Sequence, residues 1–305
     1  MDTYYKYSKY FGIESLMEPA IRLSAPAILN DPFEKIFNSV VENNLISSVG
    51  NEYYMWPLLE SFDIDKEQFI RHQIAESVNN FGIVSLSETH SNLLMWSHYA
   101  DEHRGICIGY QKDFLTKLPK KITDEHNIAN YKPIKVNYNN KRPLYFKDEQ
   151  NKSNEIKVNT LRQLTSKGDD WIYEKEHRCI VPLVWADEIK IMDSSKLDDF
   201  QLKVLQSFKD DFKIINGNRY VFKKDRQARK ASCIAFKDNS HAILLKKINP
   251  KSIKSIHLGC KMKLSDKIAL VSELNKSTHP LNHVEIYDYE ESKERYELIS
   301  KTIKP

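Results

Sequence analysis

Short β-strand patterns outnumber helical patterns in this 305-residue chain, and neighbouring strand patterns often lack a segment between them for a crossover helix. Parallel strands need such crossovers, whereas antiparallel strands can be joined by short turns. The chain is therefore predicted to be an α+β protein with a mixed/antiparallel sheet and flanking helices, and not a doubly wound fold. The strand patterns lie at residues 3–10, 21–25, 81–88, 105–110, 136–138, 171–184, 219–223, 231–236, 253–258 and 283–287.

The helical patterns are fewer and more polar. They lie at residues 12–19, 34–50, 65–80, 147–166, 196–213 and 264–275, with a further one after Asn92. Asn92 is predicted to cap this last helix, which ends at Gly105, whereas the polar stretch 120–132 is predicted to be a loop. The sequence shows neither a repeat nor a linker, so residues 1–305 are predicted to form a single domain, with the charged region 185–230 as a candidate insertion.

The charge balance and the absence of phosphate-loop motifs exclude several classes of protein. The chain has 46 Lys and Arg residues against 42 Asp and Glu residues, a formal net charge of +4. This mildly basic balance does not mark a dedicated nucleic-acid binder. The glycine-rich signatures of P-loop and dinucleotide-binding folds are missing, so kinases, P-loop enzymes and Rossmann enzymes are not expected.

The cysteines and the chain start predict a cytoplasmic protein with no membrane partner. Each of the four cysteines lies in or beside a short apolar run, and no two have the spacing of a metal knuckle. They are predicted to be reduced thiols. The first residues lack a basic segment followed by an apolar one, and no run approaches the roughly 18–20 apolar residues of a membrane span.

The stretch from Trp171 to Val181 carries the main candidate site. Side chains alternate along a strand, so Glu174, Glu176 and Arg178 are predicted to share one face. The opposite face would carry Tyr173, His177, Cys179 and Val181. Neighbouring carboxylates perturb each other's pKa, and an adjacent Arg keeps them ionised. Such a set suits a site that stabilises positive charge or binds hydroxyl groups; the alternative is a salt-bridged strand at a sheet edge.

The sequence offers two candidate metal sites, and neither is favoured. His98 and His103 are five residues apart, which is poor spacing for two ligands on one helix face. Glu188 and Lys190 form a Glu-x-Lys pair on a predicted strand, with acidic residues upstream at 169–176. Acidic and Lys sets of this kind hold a divalent metal in many nucleases, so a metal-dependent nuclease stays an alternative.

The basic run at 223–230 has two interpretations. It is predicted to be a solvated face or loop, and nucleic-acid contact is the alternative.

Three segments in order and spacing resemble the bacterial domain-of-unknown-function family 2971. They are Leu23-Ser24-Ala25-Pro26 with Asn30-Asp31-Pro32-Phe33-Glu34, Ser85-Leu86-Ser87 with Met95-Trp96-Ser97-His98-Tyr99-Ala100-Asp101 and Gly105-Ile106-Cys107-Ile108, and Trp171-x-x-Glu174-x-Glu176-x-Arg178. The closing Ile253-Lys254-Ser255-Ile256-His257-Leu258-Gly259-Cys260 also fits, and the resemblance covers roughly residues 4–290. It implies a bacterial effector in phage defence or a toxin system, with a protein partner in that system.

A second resemblance concerns mechanism. The beginning of the chain is similar to the start of ADP-ribosyltransferase-like domains: it consists of Tyr5-Lys6-Tyr7-Ser8, a short helix and then Ile21-Arg22-Leu23-Ser24. Further along, Glu174-Lys175-Glu176 is similar to the E-x-E signature of these domains. The first motif departs from that family, because Lys6 or Tyr7 stands where a His or Arg is usual. This resemblance implies an ADP-ribosyltransferase-like core and NAD as the substrate.

The same resemblance implies roles for individual residues. Glu176 would stabilise the oxocarbenium character that develops on the ribose, and Glu174 would orient the nucleophile or act as a base. The NAD site would comprise Lys6, Tyr7, Ser24, Trp96, Tyr99 and Arg178. The implied activity is ADP-ribose transfer to a macromolecule, protein or nucleic acid, or NAD hydrolysis. A non-catalytic partner-binding or sensor protein is the further alternative.

Overall fold

The computed structural model describes residues 2–50, 65–118, 128–223 and 226–304, and within them the chain is a mixed α+β protein, as predicted. The strands are β1 (Thr3–Ser8), β2 (Ala20–Arg22), β3 (Phe81–Ser87), β4 (Ile106–Gln111), β5 (Asn130–Lys135), β6 (Asn137–Tyr138), β7 (Ser166–Lys167), β8 (Glu176–Pro182), β9 (Glu188–Ile191), β10 (Phe212–Ile215), β11 (Arg219–Phe222), β12 (Ala242–Lys247), β13 (Ile253–Leu258), β14 (Glu285–Glu291) and β15 (Leu298–Lys304). The α-helices are α1 (Glu14–Met17), α2 (Ser39–Gly50), α3 (Lys66–Asn79), α4 (Leu93–Tyr99), α5 (Lys152–Leu164), α6 (Asp199–Ser207), α7 (Arg226–Phe236) and α8 (Leu264–Leu274).

Within the described ranges, the larger sheet has eight strands in the order β15-β14-β13-β4-β1-β3-β8-β5. Its neighbours pair antiparallel except β13 and β14, which are parallel and are separated by the crossover helix α8. β3 pairs with β8 along its whole length, so Ser87 lies opposite Glu176 and Ser85 lies opposite Arg178. This pairing places the candidate site inside the sheet, one strand away from the β5 edge.

The second sheet, counted over the part of the chain that the structure describes, has five antiparallel strands in the order β10-β11-β9-β12-β2. The region 185–230, the candidate insertion, supplies β9, β10 and β11, and β9 lies in the middle of the sheet. Ser24, just after β2, forms a two-way backbone bridge with Ile83 of β3, which connects the two sheets. β6 and β7 form a separate parallel pair.

The main hydrophobic core joins the two sheets. Buried residues of β3, β8 and β13 pack with buried residues of β9 and β12 in one cluster, for example Val84, Cys179 and Ile256 with Ile189 and Leu244. A second cluster packs α2, α3 and α5 against the far side chains of β3 and β8. Within the described ranges, none of the helices combines the length and the apolar character that a membrane span requires.

Several predicted elements differ from the structure. The segment 231–236, predicted as a strand, forms the end of α7, because the buried residues of this helix, among them Ala228, Ser232 and Cys233, recur with helical spacing. A six-residue apolar run cannot by itself distinguish a strand from a buried helix. The predicted loop at 120–132 contains the start of β5 at Asn130, while residues 119–127 lie outside the described part.

Two element boundaries also differ near the site. The strand predicted at 171–184 begins only at Glu176, since Asp169–Glu174 is a 3-10 helix. The helix predicted at 34–50 begins at Ser39, and before it Asp31 accepts a hydrogen bond from the Phe33 backbone N–H at 2.9 Å. This Asx turn replaces the predicted first turn of the helix and leaves Glu34 in a loop.

Candidate functional site

Five buried charged side chains form one cluster, named here the acidic cluster. Its members are Glu34, Lys167, Glu174, Glu176 and Arg178, and each is at most 8% exposed. Three carboxylates against two cations leave one net negative charge when all five are ionised. Buried charges of this kind are stable only when they are paired and hydrogen-bonded.

Arg178 is the centre of the acidic cluster and is 1% exposed. Its Nε and Nη2 each donate to one carboxylate oxygen of Glu176 at 2.8 Å, which is a bidentate pair. Nη1 donates to the Leu164 backbone carbonyl at 2.8 Å, and Nη2 also donates to Glu34. Both carboxylate oxygens of Glu176 are thus fixed by a single guanidinium.

Lys167 connects the remaining carboxylates. Its Nζ lies 2.7 Å from Oε2 of Glu174, 3.5 Å from Oε2 of Glu176 and 3.9 Å from Oε1 of Glu34. The ammonium also lies over the Trp171 ring, 4.5 Å from its centroid. This one cation therefore prevents three carboxylates from facing each other without compensation.

Tyr99 reaches the acidic cluster from α4. Its hydroxyl donates to Oε1 of Glu174 at 2.5 Å and accepts from Nδ2 of Asn30 at 3.4 Å. Helix α4 begins where it does because the Asn92 side chain accepts from the backbone N–H groups of Leu94 and Met95 at 2.9 and 3.1 Å, which confirms the predicted cap.

A left-handed residue brings the two glutamates together. Lys175 has φ +46°, so the chain turns sharply between the 3-10 helix and β8. The turn is held by the Ser87 hydroxyl, which donates to the Glu174 carbonyl at 2.7 Å, and by the Glu176 N–H, which donates to the Tyr138 hydroxyl at 2.8 Å. The prediction that Glu174 lies on the same strand as Glu176 is therefore wrong, although both carboxylates do reach one cluster.

The residues predicted for the opposite face are also divided by this turn. Tyr173 lies on the 3-10 helix and not on the strand, and its hydroxyl lies 3.1 Å from Nδ1 of His98. His177 lies on β8 with its ring 4.8 Å from that of Tyr4. Cys179 and Val181 follow it into the main core, as alternation predicts.

The two adjacent glutamates have pKa values shifted in opposite directions. Burial would raise the pKa of Glu176, but the charges of Arg178 and Lys167 outweigh it and bring that pKa to about 2. Burial raises the pKa of Glu174 above its usual value. The charge of Lys167 lowers this pKa and the neighbouring Glu176 charge raises it, and the net effect is an increase. Burial likewise raises the pKa of Glu34. Glu176 is hence ionised at neutral pH, whereas Glu174 is the more basic of the pair.

The acidic cluster forms part of the wall of a cavity of about 630 Å³ that strands of both sheets line. The predicted site residues that line it are Lys6, Tyr7, Ser24, Tyr99, Glu174, Glu176 and Arg178. Trp96 is not among the lining residues: it is fully buried, its indole N–H donates to the His90 carbonyl at 2.9 Å, and its ring meets that of Tyr7 edge-on. The structure thus places Trp96 in the packing behind the cavity wall.

Sequence reasoning missed Glu34, Lys167 and Arg22, all of which line the cavity. Glu34 is the last residue of the segment Asn30-Asp31-Pro32-Phe33-Glu34, which is one of the segments that carry the family resemblance. This membership is the sequence signal that could have identified it. Lys167 directly follows a predicted polar helix and carries no local pattern. Only the pairing of distant segments brings it to Glu174.

Glu188 and Lys190, the central pair of the nuclease alternative, also line the cavity but are engaged in other contacts. Both carboxylate oxygens of Glu188 accept from Arg219, at 3.1 and 2.7 Å, and Lys190 lies over the Phe11 ring at 5.6 Å. Asp169 and Asp170 are exposed. Over the described ranges, no group of three or more His, Cys, Asp or Glu side chains is arranged to hold a metal ion.

The later part of the basic run at 223–230 belongs to helix α7, where Arg229 contacts neighbouring elements of the fold. Arg229 of α7 donates to the Ala186 carbonyl, and its guanidinium lies over the Phe222 ring at 4.9 Å. Residues 224 and 225 lie outside the described part.

Comparison with protein families identifies one match. The model of a family described as a protein of unknown function (DUF2971) matches residues 95–179, which confirms the predicted family resemblance over this region. The matched region contains Tyr99, Lys167, Glu174, Glu176 and Arg178, which is most of the acidic cluster with its tyrosine. Searches of curated proteins and of solved structures found no match. The resemblance to ADP-ribosyltransferase-like domains therefore stays a prediction.

Proposed function

We propose that this protein cleaves the nicotinamide–ribose bond of NAD in the cavity and passes ADP-ribose to water or to a macromolecular acceptor. The observation that carries the proposal is the pair Glu174 and Glu176, whose environments shift their pKa values in opposite directions on a cavity wall. Paired groups with divergent pKa values are typical of acid–base and electrostatic catalysis. A volume of about 630 Å³ lies within the range of cofactor pockets.

The proposed reaction needs a fixed negative charge and a base. The C1′–N1 bond breaks and its electron pair leaves with the nicotinamide nitrogen, which becomes neutral, while the ribose acquires oxocarbenium character. The net negative charge of the acidic cluster stabilises that cation, and Glu176 stays ionised because Arg178 and Lys167 hold it so. The nucleophile then forms the new bond to C1′.

Glu174 is the group suited to receive the proton. Water or an acceptor hydroxyl loses a proton as it attacks C1′, and a carboxylate of raised pKa accepts it more readily than an ordinary one. The Tyr99 hydroxyl and Lys167 fix both oxygens of Glu174, at 2.5 and 2.7 Å. Tyr99 and Lys167 act as positioning residues, because each acts through Glu174.

A non-catalytic binding or sensor role is the second candidate. It is favoured by the bidentate contact with Arg178, which already occupies both carboxylate oxygens of Glu176. In this role the acidic cluster stabilises the wall of a ligand cavity and no bond is broken. The two roles differ in a single observable, the release of free nicotinamide.

The test is nicotinamide release by purified protein with NAD, with and without cell extract or nucleic acid as acceptor. Glu176→Gln and Glu174→Gln should each lower the rate at least 100-fold. Glu155→Gln is the matched control, since Glu155 is equally buried but bonds to Tyr145, and neither of the two lines the cavity. Release that is equal in the wild type and all three variants would overturn the catalytic assignment. NAD binding without release would favour the second candidate.

The setting of this activity is also proposed. The described cysteines Cys107, Cys179, Cys233 and Cys260 are all free thiols, which fits a reducing compartment such as the cytoplasm. A role as an effector in phage defence or a toxin system, with a protein partner, stays a prediction from the family resemblance.

A further inference from the structure

Two cations on the cavity wall have no ion-pair partner among the residues that the structure describes. Lys6 of β1 and Arg22 of β2 both line the cavity and are half-buried. Within the described ranges neither forms an ion pair: Lys6 Nζ donates to the Ser85 carbonyl at 3.1 Å, and Nε of Arg22 is shielded from solvent with no hydrogen-bond partner. An unpaired buried donor is costly, so its presence marks a place where a partner is expected.

The neighbouring cations of the same cavity show the contrast. Arg178 is paired with Glu176 and Glu34, and Arg219 with Glu188 and Glu18. Lys6 and Arg22 instead lie near each other: burial and then the Arg22 charge lower the pKa of Lys6 to about 8. Within the described ranges neither cation has an ion-pair partner, and the Glu176 charge only partly offsets the repulsion between them. An anion between them removes both the repulsion and the unpaired donor.

We infer that Lys6 and Arg22 form a subsite for the phosphoryl groups of a small nucleotide-type ligand, a monophosphate or a diphosphate. A guanidinium presents a fork of N–H donors that matches phosphate oxygens, and an ammonium adds a compact second charge. This inference rests on the proposed function only for the identity of the ligand, since the subsite would hold the diphosphate of NAD while the acidic cluster faces the ribose. A small ligand is favoured over a nucleic-acid backbone because the unpaired Nε is inside the cavity wall.

The test uses inorganic pyrophosphate and ADP as probes, with adenosine as the uncharged comparison, in titration calorimetry of the full chain. The wild type should bind pyrophosphate and ADP and should not bind adenosine measurably. Arg22→Gln and Lys6→Met should each weaken both anions at least tenfold. Lys190→Gln is the matched control, since Lys190 also lines the cavity but lies over Phe11, and it should weaken them less than threefold.

Two variants guard against a folding defect, and melting temperatures identify any variant that is unfolded. Failure of the wild type to bind pyrophosphate and ADP at millimolar concentration would overturn the inference, as would unchanged affinity in both variants. Binding of a single-stranded oligonucleotide but of neither small anion would overturn the choice of a small ligand. Anion binding without nicotinamide release would support the subsite and contradict the proposed cleavage. Nicotinamide release with an unchanged KM for NAD in Arg22→Gln would support the cleavage and contradict the subsite.

Discussion

Arg178 and Glu176, two residues apart on β8, form two hydrogen bonds of 2.8 Å between the guanidinium fork and both carboxylate oxygens. Residues i and i+2 share a strand face, so this pairing follows directly from the alternation of the sequence. The pair is nearly inaccessible to solvent, and Glu34 and Lys167 complete it. The acidic cluster is thus both a structural element and the wall of the cavity, and the two roles can be separated by experiment.

The structural role predicts a large loss of stability in Glu176→Gln. Removing one partner of a buried ion pair leaves an uncompensated charge and typically costs about 3–5 kcal/mol. The measurement is the free energy of unfolding in urea. Glu149→Gln is the control: Glu149 pairs with Lys147 at the surface, where an ion pair contributes about 0–1 kcal/mol. Equal effects of the two substitutions would show that the Arg178 pair is not a structural element.

The role of Tyr99 predicts a shift in the pH profile. Its hydrogen bond to Glu174 lowers the pKa of that carboxyl, so Tyr99→Phe should raise it. The acid limb of the rate of nicotinamide release, where Glu174 must be ionised, should then move to higher pH. Tyr145→Phe also removes a Tyr–Glu bond, at 2.6 Å to Glu155, and should leave the limb unchanged. An unchanged limb in Tyr99→Phe would remove Glu174 as the base.

The stacked imidazoles predict a loss of stability in acid. His257 lies between the His90 ring at 4.5 Å and the Tyr287 ring at 4.8 Å, and its Nε2 lies 3.0 Å from the Ser255 hydroxyl. Burial and then His90 lower its pKa from 6.5 to about 3. The unfolded chain therefore binds a proton first as the pH falls. The stabilising contribution is complete above 6.5 and is lost between 6.5 and 3, by up to about 1.4 kcal/mol per pH unit.

A substitution tests this linkage. In His257→Gln the slope of unfolding free energy against pH between 6 and 4 should be shallower by about that amount, whatever its effect on stability at pH 7. Urea unfolding at several pH values measures both slopes. Parallel slopes in wild type and variant would mean that another group causes the acid sensitivity.

Helix α4 ends at Tyr99, before the predicted end at Gly105, and the Gly105 backbone N–H closes the turn after it by donating to the Ala100 carbonyl at 2.7 Å. A Cβ at Gly105 would lie 2.2 Å from the Ser8 carbonyl oxygen and 2.9 Å from that of Ala100, so no side chain fits without backbone movement. Gly105→Ala should cost about 1–3 kcal/mol of unfolding free energy and weaken NAD turnover. Gly168→Ala is the control, because no atom of the described residues lies within 4 Å of a Cβ at this position, and it should change stability by less than about 1 kcal/mol. Similar values for both would contradict the close-contact argument.

The Lys6 and Arg22 subsite predicts anion binding that weakens at high pH. The groups that act on the Lys6 ammonium are Arg22 on β2, and Glu176 and Cys179 on β8; burial and Arg22 prevail and bring its pKa to about 8. The affinity for ADP, whose phosphates stay ionised, should fall as the pH rises above about 8, and bound anion should move this fall upward. In Lys6→Met the affinity should be lower and nearly independent of pH from 7 to 10. A pH dependence that survives in Lys6→Met would assign it to another group.

The local patterns predicted the parts of the fold that depend on neighbours in sequence. Strands β3 and β13 follow from short apolar runs that are buried in the structure. The start of helix α4 follows from the Asn92 cap, and the face shared by Glu176 and Arg178 follows from alternation. The short apolar run at 231–236 predicts a strand, although the segment is helical. The helical spacing of its buried residues becomes visible only when the run is extended back to Ala228. The strands at the chain end, β14 beyond Tyr287 and β15, have mixed polarity and gave little signal.

The candidate site was predictable only in part, for a physical reason. Glu174 and Glu176 were identified from their spacing, yet what brings them together is the left-handed Lys175 and not a continuous strand. Lys167 and Glu34 join the site through contacts between distant segments. Arg22 is recognised only because its Nε has no hydrogen-bond partner among the described residues. Such contacts leave no local period in a single sequence.

The most direct test of the account is nicotinamide release from NAD by the wild type beside Glu174→Gln and Glu155→Gln, with each protein shown to be folded by its thermal melting. The account predicts release by the wild type and by Glu155→Gln, and at least a 100-fold slower release by Glu174→Gln. No release by the folded wild type, with or without cell extract or nucleic acid, and no rise of its melting temperature with NAD would contradict it.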